Sequence, residues 1–149
     1  MYHLATCALA TTMLLAGGGD IINAIRKDKA GLQGTWKVVS SESNGEKVPA
    51  DDLKGLAIIF RGNAIFVREG SGKEGEKFGM LLDPLRKPKE MDLAFLHAPN
   101  KGRLDRAIYD LDGDALRICI QENKDSPRPS DFTAPAKSNR WLVVLQRSK

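Results

Sequence analysis

From Gln33 to Arg147 apolar residues recur at every second position, in runs of five to eleven residues broken by Gly, Pro, Asn and Asp. A period of two marks strands with one buried face. The pattern predicts eight strands: 33–43, 56–60, 64–68, 76–82, 90–96, 104–111, 115–121 and 140–147. In the first, Trp36, Val38 and Ser40 share one face, and Lys37, Val39 and Ser41 the other. Asn44-Gly45, Arg61-Gly62-Asn63 and Asp112-Gly113 are turn signals. Pro49 to Lys54 predicts a helical turn ended by Gly55.

No stretch between these strands is long and periodic enough for a βαβ crossover, so every connection is antiparallel. Eight antiparallel strands most simply close into an up-and-down barrel, which leaves no free edge. The expected fold is therefore all-β, an eight-stranded antiparallel barrel with a short N-terminal helix. The connections after strands two and six are tight. Those after strands one, three, five and seven are mostly longer and richer in Gly or Pro. One end of the barrel is then loop-rich, which is where a ligand mouth is expected.

The N-terminal fifth of the chain is different. Residues 4–16 are apolar or small and carry no charge, a run too short for an ordinary transmembrane helix but suited to the centre of a signal peptide. Ala16-Gly17-Gly18 offers a cleavage site after Gly18, so residues 1–18 are expected to be a leader and the mature chain to begin near Gly19. The leader has no Lys or Arg at its front, and no Cys stands where a lipid anchor would need it. Export to the periplasm or medium is expected, without stable membrane insertion once the leader is removed. Residues 20–30 predict a short helix capped by Asp20, with Ile21, Ile22 and Ile25 on one face and Gly31 as its stop. Residues 19–31 thus form a helix or linker, and 32–149 the barrel domain.

At 149 residues the chain can bury one core. A net charge of +4 with both signs interspersed provides no basic stripe for nucleic acid. Arg86-Lys87-Pro88-Lys89, the densest basic run, reads as a solvated turn. With Cys7 in the leader, Cys119 has no intrachain partner; its strand neighbours mark it as packing.

Gly34-Thr35-Trp36 resembles the Gly-x-Trp signature of lipocalins and other calycins. Leu32 to Ser40, Lys54-Gly55-Leu56, Leu82-Asp83-Pro84 with Lys87-Pro88-Lys89 and Asp92-Leu93, Ile108 to Asp114, Leu116 to Cys119, and Arg128-Pro129 before Phe132 together resemble an uncharacterised lipocalin-like family known chiefly from planctomycete bacteria. That resemblance covers about residues 32–147 and implies no activity. The wider calycin likeness implies binding of small apolar molecules, although a shared fold does not carry a shared function. It also implies that Trp36 seals the closed end under a basic residue of the last strand. Arg147 fits, because the last strand ends beside the start of the first and Arg147 shares a parity with Trp141, Val143 and Leu145.

Catalytic and metal chemistry is thinly represented. Asp110, Asp112 and Asp114 miss the EF-hand template, since Gly113 comes one place early and the twelfth position is Gln121. His97 stands without a second His or a Cys nearby. Gly-x-Ser-x-Gly does not occur, and Asp51-Asp52 are chain neighbours rather than a facing acid–base pair. Ser126-Pro127-Arg128-Pro129 reads as a stiff loop covering the mouth. No catalytic residue, metal site or cofactor is expected. The expected function is binding of a small, mostly apolar ligand, with Val38, Ile58, Val67, Phe78, Ile118 and Trp141 as lining from strand parity and height. The alternative is a filled barrel whose long loops contact a protein partner.

Overall fold

The computed structural model describes residues 17–149. The expected leader lies outside the described residues, except Gly17 and Gly18, which form the first turn of a helix. That helix, α1, runs Gly17–Leu32 and is followed by β1 (Gly34–Ser43), β2 (Glu46–Lys47), β3 (Ala57–Arg61), β4 (Ala64–Arg68), β5 (Glu74–Asp83), β6 (Lys89–Phe95), β7 (Leu104–Asp112), β8 (Ala115–Gln121) and β9 (Arg140–Arg147). Each long strand pairs antiparallel with its sequence neighbour, and β9 returns to pair with β1. The result is a closed eight-stranded up-and-down barrel of the lipocalin-like type. Closure gives every barrel strand two partners, so no edge is left to recruit another chain.

The ninth strand is the two-residue β2, which extends β1 into a hairpin through Asn44 and Gly45. Both turn residues have positive φ, 53° and 88°. This is the mirror-image turn that matches strand twist and selects Asn-Gly. A Cβ on Gly45 would come within 2.7 Å of the Ala136 backbone nitrogen, so the turn also needs a residue without a side chain. The turn is held there by the Gly45 N–H donating to the Ala134 carbonyl. Pro49 to Gly55 makes successive tight turns rather than a regular helix, and Leu53 among them is buried in the core.

Parity along β1 changes partway. A register shift between Val38 and Ser40 inserts one extra residue opposite β9. Val39 bulges into solvent, and beyond it Ser41 faces inward while Ser40 is exposed. The strict alternation expected from sequence would put Ser40 inside. Ser41 is instead only 4 % exposed, and its Oγ accepts a 2.6 Å hydrogen bond from the Trp141 indole N–H. The bulge thus supplies the polar partner that a half-buried indole needs.

α1 is longer than the helix expected from sequence, and Gly31 does not end it. The residues it buries are Asp28 and Leu32, whereas Ile22 is mostly exposed. Asp28 and Leu32 are in the last turns, which meet the barrel, while Ile21 and Ile25 are only partly covered and Ile22 faces solvent. The helix seats on the end of the barrel that also holds the β3–β4, β5–β6 and β7–β8 turns. At that end Tyr109 Oη donates to Asp28 Oδ2 at 2.7 Å, and Lys89 Nζ pairs with the same oxygen at 2.7 Å. Tyr109 is 1 % exposed. Burial, and then the Asp28 carboxylate, raise its pKa, so the phenol stays protonated and continues to donate.

The connection from Glu122 to Asn139 does not cover the mouth, as its proline-rich composition suggested. It lies along the outer wall of the barrel. Arg128 Nη1 donates to the carbonyls of Met91 (3.2 Å) and Ala107 (2.7 Å), and the same guanidinium pairs with Glu90 and Asp92. Phe132 stacks under Arg117 at 4.0 Å, and Pro129 and Ala134 are buried. Ile108 and Cys119, which face outward by parity, are covered by this strap and are 1 % and 0 % exposed. A second, smaller core outside the barrel is what draws the strap down.

Candidate functional site

The barrel interior is filled at the α1 end and hollow at the other. Trp36, Val38, Tyr109, Leu116 and Leu145 pack the filled end and are almost wholly buried. Above them a cavity of about 180 Å³ opens towards the loop-rich end. Cavities of about 150 Å³ with Leu, Ile and Phe walls accept a single benzene ring, which sets the scale of what could enter.

Ile58, Val67, Phe78, Ile118 and Trp141 stand around this cavity. Val38 does not. Its side chain faces inward, but it is level with Leu145 in the register and belongs to the packed layer beneath. Parity defines the face of a residue, not its height in the barrel, so an inward-facing Val38 lies in the layer beneath the cavity and not in its wall. Phe60, Ile65, Leu93, Phe95 and Ile120 complete the apolar wall. Phe78 and Phe95 meet edge to face with centroids 4.9 Å apart, a preferred aromatic arrangement.

Three acidic residues also line the cavity: Glu76, Asp105 and Glu122. Each continues the inward parity of an apolar series, Glu76 before Phe78 and Met80, Asp105 before Ala107 and Tyr109, and Glu122 after Ile118 and Ile120. The same alternation that marks the apolar wall would have found them had it been followed through the polar positions. Asp105 is 5 % exposed. Arg103 grips it with two hydrogen bonds, Nε to Oδ1 at 2.8 Å and Nη2 to Oδ2 at 3.1 Å, and donates a third from Nη2 to the Glu122 carbonyl at 2.7 Å. The Arg103 guanidinium lies 4.9 Å over the Phe95 ring.

Burial raises the Asp105 pKa, and the Arg103 charge only partly opposes it. Burial, then the nearby Asp105 charge, raises that of Glu122, again against Arg103. Arg103 is thus ion-paired with Asp105 and reaches Glu122 through its backbone carbonyl and its longer-range charge. No basic side chain lines the cavity itself, and among the described residues neither Glu76 nor Glu122 has an ion-pair partner.

The other residues with reactive side chains lie elsewhere. Cys119 is on the outer wall, its Sγ 3.4 Å from the Thr133 carbonyl. Burial pushes the thiol pKa up, away from the reactive thiolate. His97 is exposed in the β6–β7 connection. Asp110 and Asp114 are occupied by Arg117 and Arg147. The described residues contain no group of three or more His, Cys, Asp or Glu arranged to hold a metal ion, and no helix long and apolar enough to cross a membrane.

Trp36 and Arg147 meet at the filled end, the Arg147 guanidinium carbon 4.3 Å from the indole centroid. Comparison of the chain with protein-family models, with curated proteins and with solved structures finds no match.

Proposed function

We propose that this protein is a binding protein, exported by its leader, that holds a small, mostly apolar ligand in the barrel. The observation that carries the reading is the cavity of about 180 Å³ walled by aliphatic and aromatic side chains and opening at the loop-rich end. An eight-stranded barrel can either be filled by its own side chains or hold one small ligand. Here the α1 end is packed and the other end is not. The likeness of Gly34-Thr35-Trp36 to the calycin signature supports the same reading. The uncharged run 4–16 followed by small residues supports export. A buried Cys119 with a raised pKa and an exposed, isolated His97 favour binding over catalysis.

Native mass spectrometry of the protein purified from its own host tests this. A bound small molecule is expected, and Val67→Trp, which fills the cavity, should abolish it. A wild-type protein carrying nothing, with no small apolar compound raising its melting temperature, would instead favour the filled barrel acting through its loops. N-terminal sequencing of the native protein tests the leader; Met1 retained on cytosolic protein would exclude it.

A further inference from the structure

We propose that the ligand is a small apolar amine, its hydrocarbon body in the cavity and its ammonium group at the acidic rim. This rests on the binding reading above and specifies the ligand class. A neutral apolar ligand would need only the aliphatic and aromatic wall. The cavity also carries Glu76, Asp105 and Glu122, and no Lys or Arg faces them from its lining. Arg103 answers one of these charges, being forked onto Asp105. Glu76 and Glu122 remain for a guest. The cleft that adjoins the mouth is lined by Glu69, Lys73 and Glu76, so its one cation stands against two carboxylates and the rim stays net acidic.

The aromatic residues favour the same charge. Trp141 lines both the cavity and the adjoining cleft, and its indole is fixed by the hydrogen bond to Ser41. Aromatic faces attract cations, tryptophan most strongly. Phe95 already carries one, the Arg103 guanidinium. An ammonium group donates three hydrogen bonds and accepts none, which suits a rim whose uncommitted side-chain oxygens are carboxylates. A carboxylate ligand would meet like charge there and is disfavoured. Burial, and then the Asp105 charge, raise the Glu122 pKa, in keeping with a rim where Glu76, Asp105 and Glu122 stand together on one cavity, and an incoming cation offsets that negative charge.

Phenethylamine, phenethyl alcohol and phenylacetate share one ring and differ in charge, and the ring matches the cavity scale. Calorimetric titration of the folded protein at neutral pH should show the amine binding at least about tenfold more tightly than the alcohol, with phenylacetate weaker than both. In the double variant Glu76→Gln and Glu122→Gln the preference should disappear, the amine binding within about twofold of the alcohol measured on the same variant. Both residues are on the exposed rim, so the variant is expected to fold, and its circular dichroism melt checks this. Equal affinity for amine and alcohol would overturn the amine proposal and leave the apolar binding reading standing. A preference that survives in the double variant would also overturn it, because the acids would not be its cause. Failure of all three compounds to bind would overturn the amine proposal, while the binding reading is decided separately by the native mass spectrum.

Discussion

Arg147 lies over the face of Trp36 and, in the same position, holds the end of α1. Its Nη1 donates to the Gln33 carbonyl at 2.7 Å and its Nη2 to the Gly31 carbonyl, while Nε pairs with Asp114 at 2.8 Å. The Trp36 indole N–H donates to the Leu32 carbonyl at 2.7 Å, and the Gln33 amide to the Lys29 carbonyl at 3.0 Å. The last carbonyls of a helix have no partner within it, and they carry its partial negative charge. The Arg147 cation from β9, the Trp36 indole from β1 and the Gln33 amide satisfy these carbonyls. The contact is therefore a joint between helix and barrel as well as a seal.

Trp36→Ala should cost about 3–5 kcal/mol, from loss of a fully buried ring. Arg147→Ala should cost roughly 2 kcal/mol, since charge-assisted hydrogen bonds are lost from a half-buried site along with the stacking. The two share contacts, so the double variant should cost less than the sum. Denaturant melts of the four proteins measure this, and strict additivity would show that the joint is not one unit.

Asp28 is the second anchor of α1. Asp28→Ala would leave the buried Tyr109 hydroxyl without its acceptor and Lys89 without its counter-charge, at about 2–3 kcal/mol. Tyr109→Phe removes the donor together with its need and should cost only about 1 kcal/mol. A urea titration that found the two variants equally destabilised would mean the hydroxyl is satisfied elsewhere.

Arg128 fastens the strap that covers Cys119. In Arg128→Ala the strap should open locally without unfolding the barrel, since barrel closure runs through the β9–β1 pairing and not through the strap. The reaction of Cys119 with a thiol reagent reports the opening. It should be slow in the wild type and at least about tenfold faster in the variant, with the barrel circular dichroism unchanged. No acceleration would show that the strap is held by its apolar contacts alone.

Asp105 and Glu122 predict the slope of stability with pH. Both have folded-state pKa values above their unfolded ones, so the folded state binds more protons than the unfolded state between those values. Their contribution is fully favourable below the ordinary carboxylate range and is lost as pH rises through the raised pKa values. Over that window these two groups should make the protein less stable with increasing pH. The double variant Asp105→Asn and Glu122→Gln should remove that component, seen as a change in the slope of ΔG against pH from urea melts at several pH values. An unchanged slope would mean the two acids are ordinary.

The strands, their antiparallel order and the loop-rich end were legible along the chain because each depends on local chemistry. Alternation marks a half-buried strand, and Gly, Asn and Pro mark its ends. The strands β8 and β9 fall where the alternation places them, since both have one clean apolar face. Inward residues such as Ile58, Phe78 and Ile118 follow from parity alone. What parity cannot supply is height within the barrel, which depends on strand stagger. For that reason Val38 belongs to the packed layer and not to the cavity. Nor could the bulge at Val39 be read, because Ser40 and Ser41 are alike and only the Trp141 indole on the neighbouring strand β9 selects between them. The strap over Cys119 and the two arginine clamps, Arg128 and Arg147, join residues far apart in the chain. Which carbonyl or carboxylate a long charged side chain meets is decided by packing, because its local sequence favours no partner.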